Sequence, residues 1–165
     1  MKPALLVIDV QKEFFKSSPL TAQSLDNAIE YINAAIALFR SKGLPVICIQ
    51  HEDAESNLVP GTEGFSLPDS LNILSSDVHI VKNYSNGFNK TSLAEILRGQ
   101  GIDTVIITGY CAEYCVLSTY RGALDLDFTP ILLHNSLASG KLENIKFVED
   151  VNDVISYTAL KKVLE

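Results

Sequence analysis

The chain has 165 residues, of which 47% are apolar and 20% charged, so we expect one soluble domain, residues 1–165, and exclude a disordered chain. Its net charge of -7 is spread without long acidic or basic runs, which argues against nucleic acid or an anionic membrane as a partner. Three cysteines without C-x-x-C spacing predict free thiols rather than disulfides or a structural zinc site. The apolar N-terminal run is too short to span a membrane and shows no cleavage pattern, so we expect a cytoplasmic protein.

Apolar runs and helical patterns follow one another along the chain. Residues 2–10 form a continuous apolar run, typical of a strand buried on both faces, and residues 23–42 carry apolar positions at helical spacing. Residues 54–76 have no long period and predict a long loop, a feature that tends to be functional. Taken in order, the remaining predicted elements are strands at 44–50, 77–82, 105–108, 129–133 and 154–156, and helices at 91–99, from 116 onward, at 145–151 and at 158–164.

Strands that alternate with helices indicate right-handed crossovers and a sheet covered by helices on both faces. We therefore predict an α/β protein with a six-stranded, mostly parallel sheet. In such sheets ligands bind at the carboxyl ends of the strands. Asp9, Lys82 and Cys115 fall at or just beyond the carboxyl ends of three predicted strands, so we expect their side chains to meet at one edge of the sheet.

Cys115 is the candidate nucleophile. The β-branched run at 105–108 meets Gly109 and a cluster of small and polar residues, and a helical pattern begins at Val116. A thiol at the start of a helix faces unpaired N–H groups and the positive end of the helix dipole, and both favour the thiolate. The alternative is a small buried side chain without chemistry.

Asp9 and Lys82 supply what a cysteine nucleophile needs. Attack on a carbonyl requires a base, a role that suits Asp9, and a cation to hold the resulting charge, a role that suits Lys82. Burial would raise the pKa of Asp9 and the ammonium would lower it, and the sequence leaves that balance open. The backbone N–H groups of Cys111 and Cys115 are candidates for an oxyanion hole. An ion pair between Asp9 and Lys82 without chemistry is the alternative.

Several segments, taken in chain order, match the pattern of a known family. They are the run Leu5 to Gln11 with Phe14, then Pro60-Gly61-Thr62, then Lys82 with Ser85 and Phe88, and finally Gly109 to Val116 with Arg121 and Ala123. Together they resemble the isochorismatase-like cysteine hydrolases over nearly the whole chain. The resemblance implies a Rossmann-like three-layer α/β/α fold and a catalytic triad at Asp9, Lys82 and Cys115. It also implies a cis peptide bond between Tyr110 and Cys111 and assembly as a homodimer or homotetramer.

Two departures from the family pattern bear on the substrate. Nicotinamidases carry an Asp-x-His metal motif after the second strand, whereas this chain has His51-Glu52-Asp53 there and no histidine in the long loop. This departure from the family pattern therefore implies no metal and no cofactor, with His51 as a pocket wall or as a histidine that is hydrogen-bonded at the end of its strand. Ala112-Glu113 replaces a common Thr-Asp pair, and His134-Asn135-Ser136 stands where an aspartate is common, so the substrate stays open.

Three functions follow as hypotheses. The leading one is metal-independent hydrolysis of a small amide or related C–N bond, with a thioester on Cys115. The second is an isochorismatase proper, which hydrolyses a vinyl ether with Asp9 as general acid and releases pyruvate. The third is a redox or binding protein in which Cys111 and Cys115 form a reversible disulfide. The candidate pocket residues for a small-molecule substrate are Gln11, Phe14, His51, Phe65, Phe88, Tyr110 and Tyr114.

Overall fold

A six-stranded parallel sheet forms the centre of the protein. The computed structural model describes all 165 residues. Every neighbouring pair of strands is parallel, and the strand order across the sheet is β3-β2-β1-β4-β5-β6, which confirms the predicted α/β fold. The strands are β1 (Pro3–Ile8), β2 (Val46–His51), β3 (Val78–Lys82), β4 (Thr104–Tyr110), β5 (Thr129–Ala138) and β6 (Val154–Ile155).

Five helices cover the two faces of the sheet and complete three layers. They are α1 (Pro19–Ser41), α2 (Leu93–Gly99), α3 (Leu117–Asp125), α4 (Leu142–Asp150) and α5 (Tyr157–Val163). β1 is buried throughout, and its alternate side chains serve both faces. Leu5 and Val7 join a core with α1 and α5, whereas Leu6 and Ile8 join a core with α2, α3 and α4. None of these helices combines the length and the apolar character needed to cross a membrane.

Two element boundaries differ most from the sequence predictions. α1 begins at Pro19 rather than at residue 23, because the Ser18 hydroxyl oxygen accepts the Thr21 N–H at 3.0 Å and proline suits a first helical position. β5 runs to Ala138 rather than to residue 133. An irregular segment in which Asn135 has a φ of 66° interrupts its pairing with β4, so its second half escapes a search for a regular period.

The segment between β2 and β3 is a long loop, as its composition predicts. It contains one short 3-10 helix, Ala54–Ser56, and an isolated bridge between Asp53 and Leu58. A second short 3-10 helix, Lys12–Lys16, follows β1. Both segments lie at the carboxyl end of the sheet, because each begins where a strand ends.

The strand order reverses between β1 and β4, since β1 connects along the chain to β2 on one side and pairs with β4 on the other. In open parallel sheets the crevice at this reversal is the usual place for a ligand. Asp9 follows β1 directly, and Cys111 follows β4 directly. The fold therefore brings two of the sequence-predicted site residues to the edge of the same crevice.

Candidate active site

β1 and β4 approach each other closely at their carboxyl ends because Gly109 has no side chain. A Cβ at this position would lie 2.1 Å from the Ile8 carbonyl oxygen, and the backbone of Gly109 has a φ of 114°. Only glycine tolerates both conditions. The close approach brings the turn that follows β4 against Asp9. Within that turn, the peptide bond between Tyr110 and Cys111 is cis.

Cys115 lies in a π-helical turn, Ala112–Val116, that precedes α3. The Cys111 carbonyl oxygen accepts the N–H of Val116 at 3.2 Å and the N–H of Tyr114 at 3.0 Å. The first of these is the wider hydrogen bond that defines a π turn, a feature frequent at functional sites. The predicted helix start at Val116 agrees within one residue with α3, which begins at Leu117, but the prediction missed the π turn that holds Cys115.

The Lys82 ammonium joins the site residues of four segments. Lys82 ends β3, and its fully buried side chain reaches across the end of β2. Its Nζ lies 2.9 Å from Asp9 Oδ2, 3.0 Å from His51 Nδ1 and 3.3 Å from Cys115 Sγ. The ammonium donates hydrogen bonds to His51 and Cys115, and its contact with Asp9 is an ion pair.

Burial controls the protonation of these groups. It raises the pKa of Asp9 above 3.8 and outweighs the opposing effect of the Lys82 ammonium. Burial, followed by the negative charge of Asp9, raises the pKa of the Cys115 thiol to about 12. The expectation that a helix start favours the thiolate was therefore wrong, because the thiol is enclosed and faces a carboxylate. Burial and the ammonium both lower the pKa of His51, which keeps its ring neutral.

Asp9, His51 and Cys115 are also the residues that could hold a metal ion. Their donor atoms all lie within 4.8 Å of one another. The Lys82 ammonium, however, contacts the same three side chains, so a divalent cation placed among them would face a positive charge at close range. The donor set therefore suits an ammonium better than a metal.

A cavity of about 240 Å³ opens above Cys115. Four of the seven sequence-predicted pocket residues line it, and the rings of two of them, Phe14 and Tyr110, pack with their centroids 4.7 Å apart. The lining residues are Asp9, Phe14, His51, Asp53, Ser56, Leu58, Tyr110, Cys111, Tyr114 and Cys115. A larger depression of about 400 Å³ between α1, β5 and α4 contains no cysteine, so the smaller cavity is the candidate active site.

Three predicted pocket residues lie outside this cavity. The Gln11 amide holds the loops below it, donating to the carbonyl oxygens of His51 at 3.0 Å and Phe65 at 3.2 Å. Phe65 is buried, and its carbonyl oxygen also accepts the side-chain N–H of Gln50. Phe88 stacks on Phe128 within the core, with centroids 5.6 Å apart. Phe65 and Phe88 therefore contribute to packing and not to the cavity wall.

Three residues of the cavity wall, Asp53, Ser56 and Leu58, are not among the pocket residues predicted from the sequence. All three belong to the beginning of the long loop, where the bridge between Asp53 and Leu58 folds the chain back over the site. The available signal was the position of Asp53 just after β2 together with the length of the loop. No local pattern distinguishes these residues from the rest of that loop.

Glu113 holds the turn around Cys115 in place. Its Oε2 accepts the Cys111 thiol at 3.1 Å, and its Oε1 accepts the Ser139 hydroxyl at 3.0 Å and the Asn144 side-chain N–H at 2.8 Å. These contacts tie the turn to the segment after β5 and to α4. The hydrogen bonds lower the pKa of Glu113 despite its partial burial, so the group is a carboxylate that accepts from three donors.

These features define a parallel α/β protein with a buried cysteine site at its strand reversal. A model of the isochorismatase domain matches residues 3–148, so the chain belongs to the isochorismatase family. An uncharacterized isochorismatase family protein of Bacillus subtilis, YrdC, is 34% identical over 140 residues, which cover 84% of this chain and 74% of the relative. The streptothricin hydrolase of Streptomyces noursei is 28% identical over 156 residues, 92% of this chain and 54% of the relative.

Further relatives in this family are hydrolases by name. The maleamate amidohydrolase of Pseudomonas putida is 26% identical over 149 residues, 80% of this chain and 70% of the relative. The structure of an isochorismatase-like hydrolase from Alkaliphilus metalliredigens superposes with a TM-score of 0.90 and 26% identity, over all of both chains. That of the N-carbamoylsarcosine amidase of Thermoplasma acidophilum has a TM-score of 0.80 and 27% identity, over 94% of this chain and 96% of the other. The protein is therefore a hydrolase of this family.

Proposed function

We propose that the protein hydrolyses a small amide or related C–N bond without a metal ion, through a thioester on Cys115. The observation that carries this proposal is the buried contact of one ammonium group, that of Lys82, with Asp9, His51 and Cys115. Amidohydrolase relatives support the reaction class. The contact of the same ammonium with Asp9 and Cys115 supports the assignment of Asp9 as the base and Cys115 as the nucleophile.

The first half of the reaction forms the thioester. Asp9 takes the proton of the Cys115 thiol as sulfur attacks the carbonyl carbon of the substrate. The backbone N–H groups of Cys111 and Cys115 donate to the oxyanion, and the Lys82 ammonium stabilises the negative charge that passes between sulfur and carboxylate. The C–N bond then breaks, and Asp9 returns the proton to the leaving amine.

The second half releases the acid. Asp9, again a carboxylate, takes a proton from a water molecule while the water oxygen attacks the thioester carbon. The C–S bond breaks, and the proton returns to the sulfur of Cys115. The raised pKa of Asp9 suits both steps, because a carboxylate of raised pKa is a stronger base.

The two other hypotheses have less support. Vinyl ether hydrolysis needs an acid but no thiol, whereas here Cys115 Sγ lies 3.3 Å from the Lys82 ammonium at the floor of the cavity. A disulfide between Cys111 and Cys115 would have to displace both thiols from other partners, since Cys111 Sγ lies 3.1 Å from Glu113 Oε2. Neither thiol forms a disulfide in the structure.

Ammonia release from a panel of small amides tests the proposal. Cys115→Ala should lower kcat/KM at least about a thousandfold, as expected for loss of a nucleophile. Cys48→Ala is the matched control, because it removes a buried thiol of β2 outside the cavity and should retain turnover. Full turnover by Cys115→Ala would contradict the mechanism. Pyruvate release from isochorismate, measured with lactate dehydrogenase, would instead favour the vinyl ether reaction.

A further inference from the structure

The floor of the cavity carries no net charge. The Lys82 ammonium and the Asp9 carboxylate are paired at 2.9 Å, and Cys115 is a thiol in the resting protein. His51 accepts a hydrogen bond from the ammonium through Nδ1, so its ring is neutral with the proton on Nε2. The charge that a substrate meets is therefore decided by the wall of the cavity and not by its floor.

Asp53 supplies the one remaining charge of the wall. Its Oδ1 accepts the Glu55 N–H at 3.0 Å, and its Oδ2 accepts the Ser56 hydroxyl at 2.6 Å. The hydrogen bond from Ser56 is the main cause of a lowered pKa, so Asp53 is a carboxylate at neutral pH. It is the only ionised side chain that lines the cavity outside the buried pair.

No cation offsets Asp53. No lysine or arginine lines the cavity, and the Lys82 ammonium beneath it is already paired with Asp9. The two lysines nearest in sequence to Phe14 are engaged elsewhere, since Lys12 Nζ lies 3.9 Å from Glu63 Oε1 and Lys16 Nζ lies 2.7 Å from Glu13 Oε2. A carboxylate on the substrate would thus meet a negative wall without the charged partner that such a group needs on leaving water.

We propose that this cavity selects amides whose non-reacting end is cationic, and that Asp53 is the residue that determines this specificity. The inference rests on the proposed amide hydrolysis. The cavity volume of about 240 Å³ is below the usual range for drug-sized ligands, so the substrate is small. By its name, the Pseudomonas putida relative acts on maleamate, which bears a carboxylate. This chain would therefore differ from that relative in the charge it accepts.

Three amides of matched length test the specificity. β-Alaninamide, butyramide and succinamate present an ammonium, a methyl group and a carboxylate at the same place. We expect kcat/KM to fall in that order, with β-alaninamide preferred over succinamate by about tenfold or more. In Asp53→Asn that preference should shrink at least about threefold, and Asp53→Lys should reverse it. Asparagine caps the Ala54–Ser56 turn as aspartate does, so the first variant changes charge rather than fold.

Asp26→Asn is the matched control. Asp26 is exposed on α1, does not line the cavity, and its replacement changes the net charge by the same amount. The substrate order should survive in this variant. Succinamate as the best substrate of the wild type, or an unchanged preference in Asp53→Asn, would overturn the proposal.

Labelling of Cys115 tests the same charge selection without turnover. Methanethiosulfonates with a trimethylammonium or a sulfonate end each transfer their thioalkyl group to the cysteine, which forms a disulfide and releases methanesulfinate. Peptide mass spectrometry locates the label on Cys115, and each labelling rate is divided by the rate of the same reagent with 2-mercaptoethanol. The corrected rate should be higher for the cationic reagent. This preference should be smaller in Asp53→Asn and the same as in the wild type in Asp26→Asn. Equal rates for both reagents would refute charge selection. Preserved selection without hydrolysis of any amide would refute only the amidase.

Discussion

The Lys82 ammonium and the Asp9 carboxylate form an ion pair 2.9 Å across, with 0% and 1% of their side chains exposed. Enclosing two charges is unfavourable unless each satisfies the other. The pair persists here at the end of β1, where Asp9 also adopts a left-handed backbone with a φ of 53°. A buried ion pair and a strained backbone at the same residue both cost free energy, which indicates that Asp9 has a functional role.

The first prediction concerns the energetics of this pair. Lys82→Met should lower the free energy of unfolding by about 3 to 5 kcal/mol, because it leaves the Asp9 carboxylate buried without a partner. Adding Asp9→Asn should restore much of that stability while activity stays absent. Urea unfolding of both single variants and the double variant measures the coupling. Strictly additive losses would show that the two side chains do not act as a pair.

The second prediction concerns the resting thiol. A pKa near 12 means that Cys115 carries its proton at pH 7 to 8, so the difference in absorbance at 240 nm between the wild type and Cys115→Ser should stay near zero up to about pH 9. Asp9→Asn should lower the thiol pKa, because the charge of Asp9 is one of the causes that raise it. A thiolate signal with a midpoint below pH 8 in the wild type would contradict this assignment.

The third prediction is the acidic limb of activity. Asp9 must be deprotonated to accept the thiol proton, and burial raises its folded-state pKa above 3.8. Activity should therefore fall as the pH decreases through that raised pKa, at a higher pH than an ordinary aspartate would give. A kcat/KM profile from pH 4 to 8 measures the limb. A profile that stays flat down to pH 4 would mean that Asp9 titrates normally or is not the base.

The location of the site follows from the sequence, because the carboxyl ends of buried strands can be found from apolar runs that stop at a polar residue. Asp9 and Lys82 both end such runs. The protonation of Cys115 does not follow, since it depends on enclosure by segments distant in the chain. Likewise, Asp53 is part of the cavity wall because the loop forms a bridge between Asp53 and Leu58, and no local sequence pattern predicts that bridge. Phe14, Tyr110 and Tyr114 line the cavity as predicted, whereas Phe88 packs on Phe128 in the core, a contact between distant segments that no local pattern reveals.

The fourth prediction addresses Glu113 as a positioning residue. Glu113→Ala removes the acceptor of Cys111, Ser139 and Asn144, and so frees the turn that presents Cys115. We expect kcat to fall about 10- to 100-fold, with KM changed less than about twofold, because misplacement affects the reacting atoms more than binding. Glu113→Gln, which keeps one oxygen acceptor, should recover part of kcat.

Exposed Glu143, in the first turn of α4, provides the control for that experiment, and Glu143→Ala should behave as the wild type. A rise in KM at constant kcat in Glu113→Ala would instead assign Glu113 to substrate binding. A loss of activity that merely parallels a loss of folded protein, followed by circular dichroism, would assign it to stability alone.

The thioester on Cys115 is the central claim, and trapping it is the most direct test. The protein is mixed with its best amide substrate, quenched in acid within the first turnovers, and its intact mass is measured. We predict an added mass equal to the acyl part of the substrate, located on Cys115 by peptide sequencing and absent in Cys115→Ala. Steady turnover by wild-type protein with no adduct, together with retained turnover in Cys115→Ala, would contradict the account.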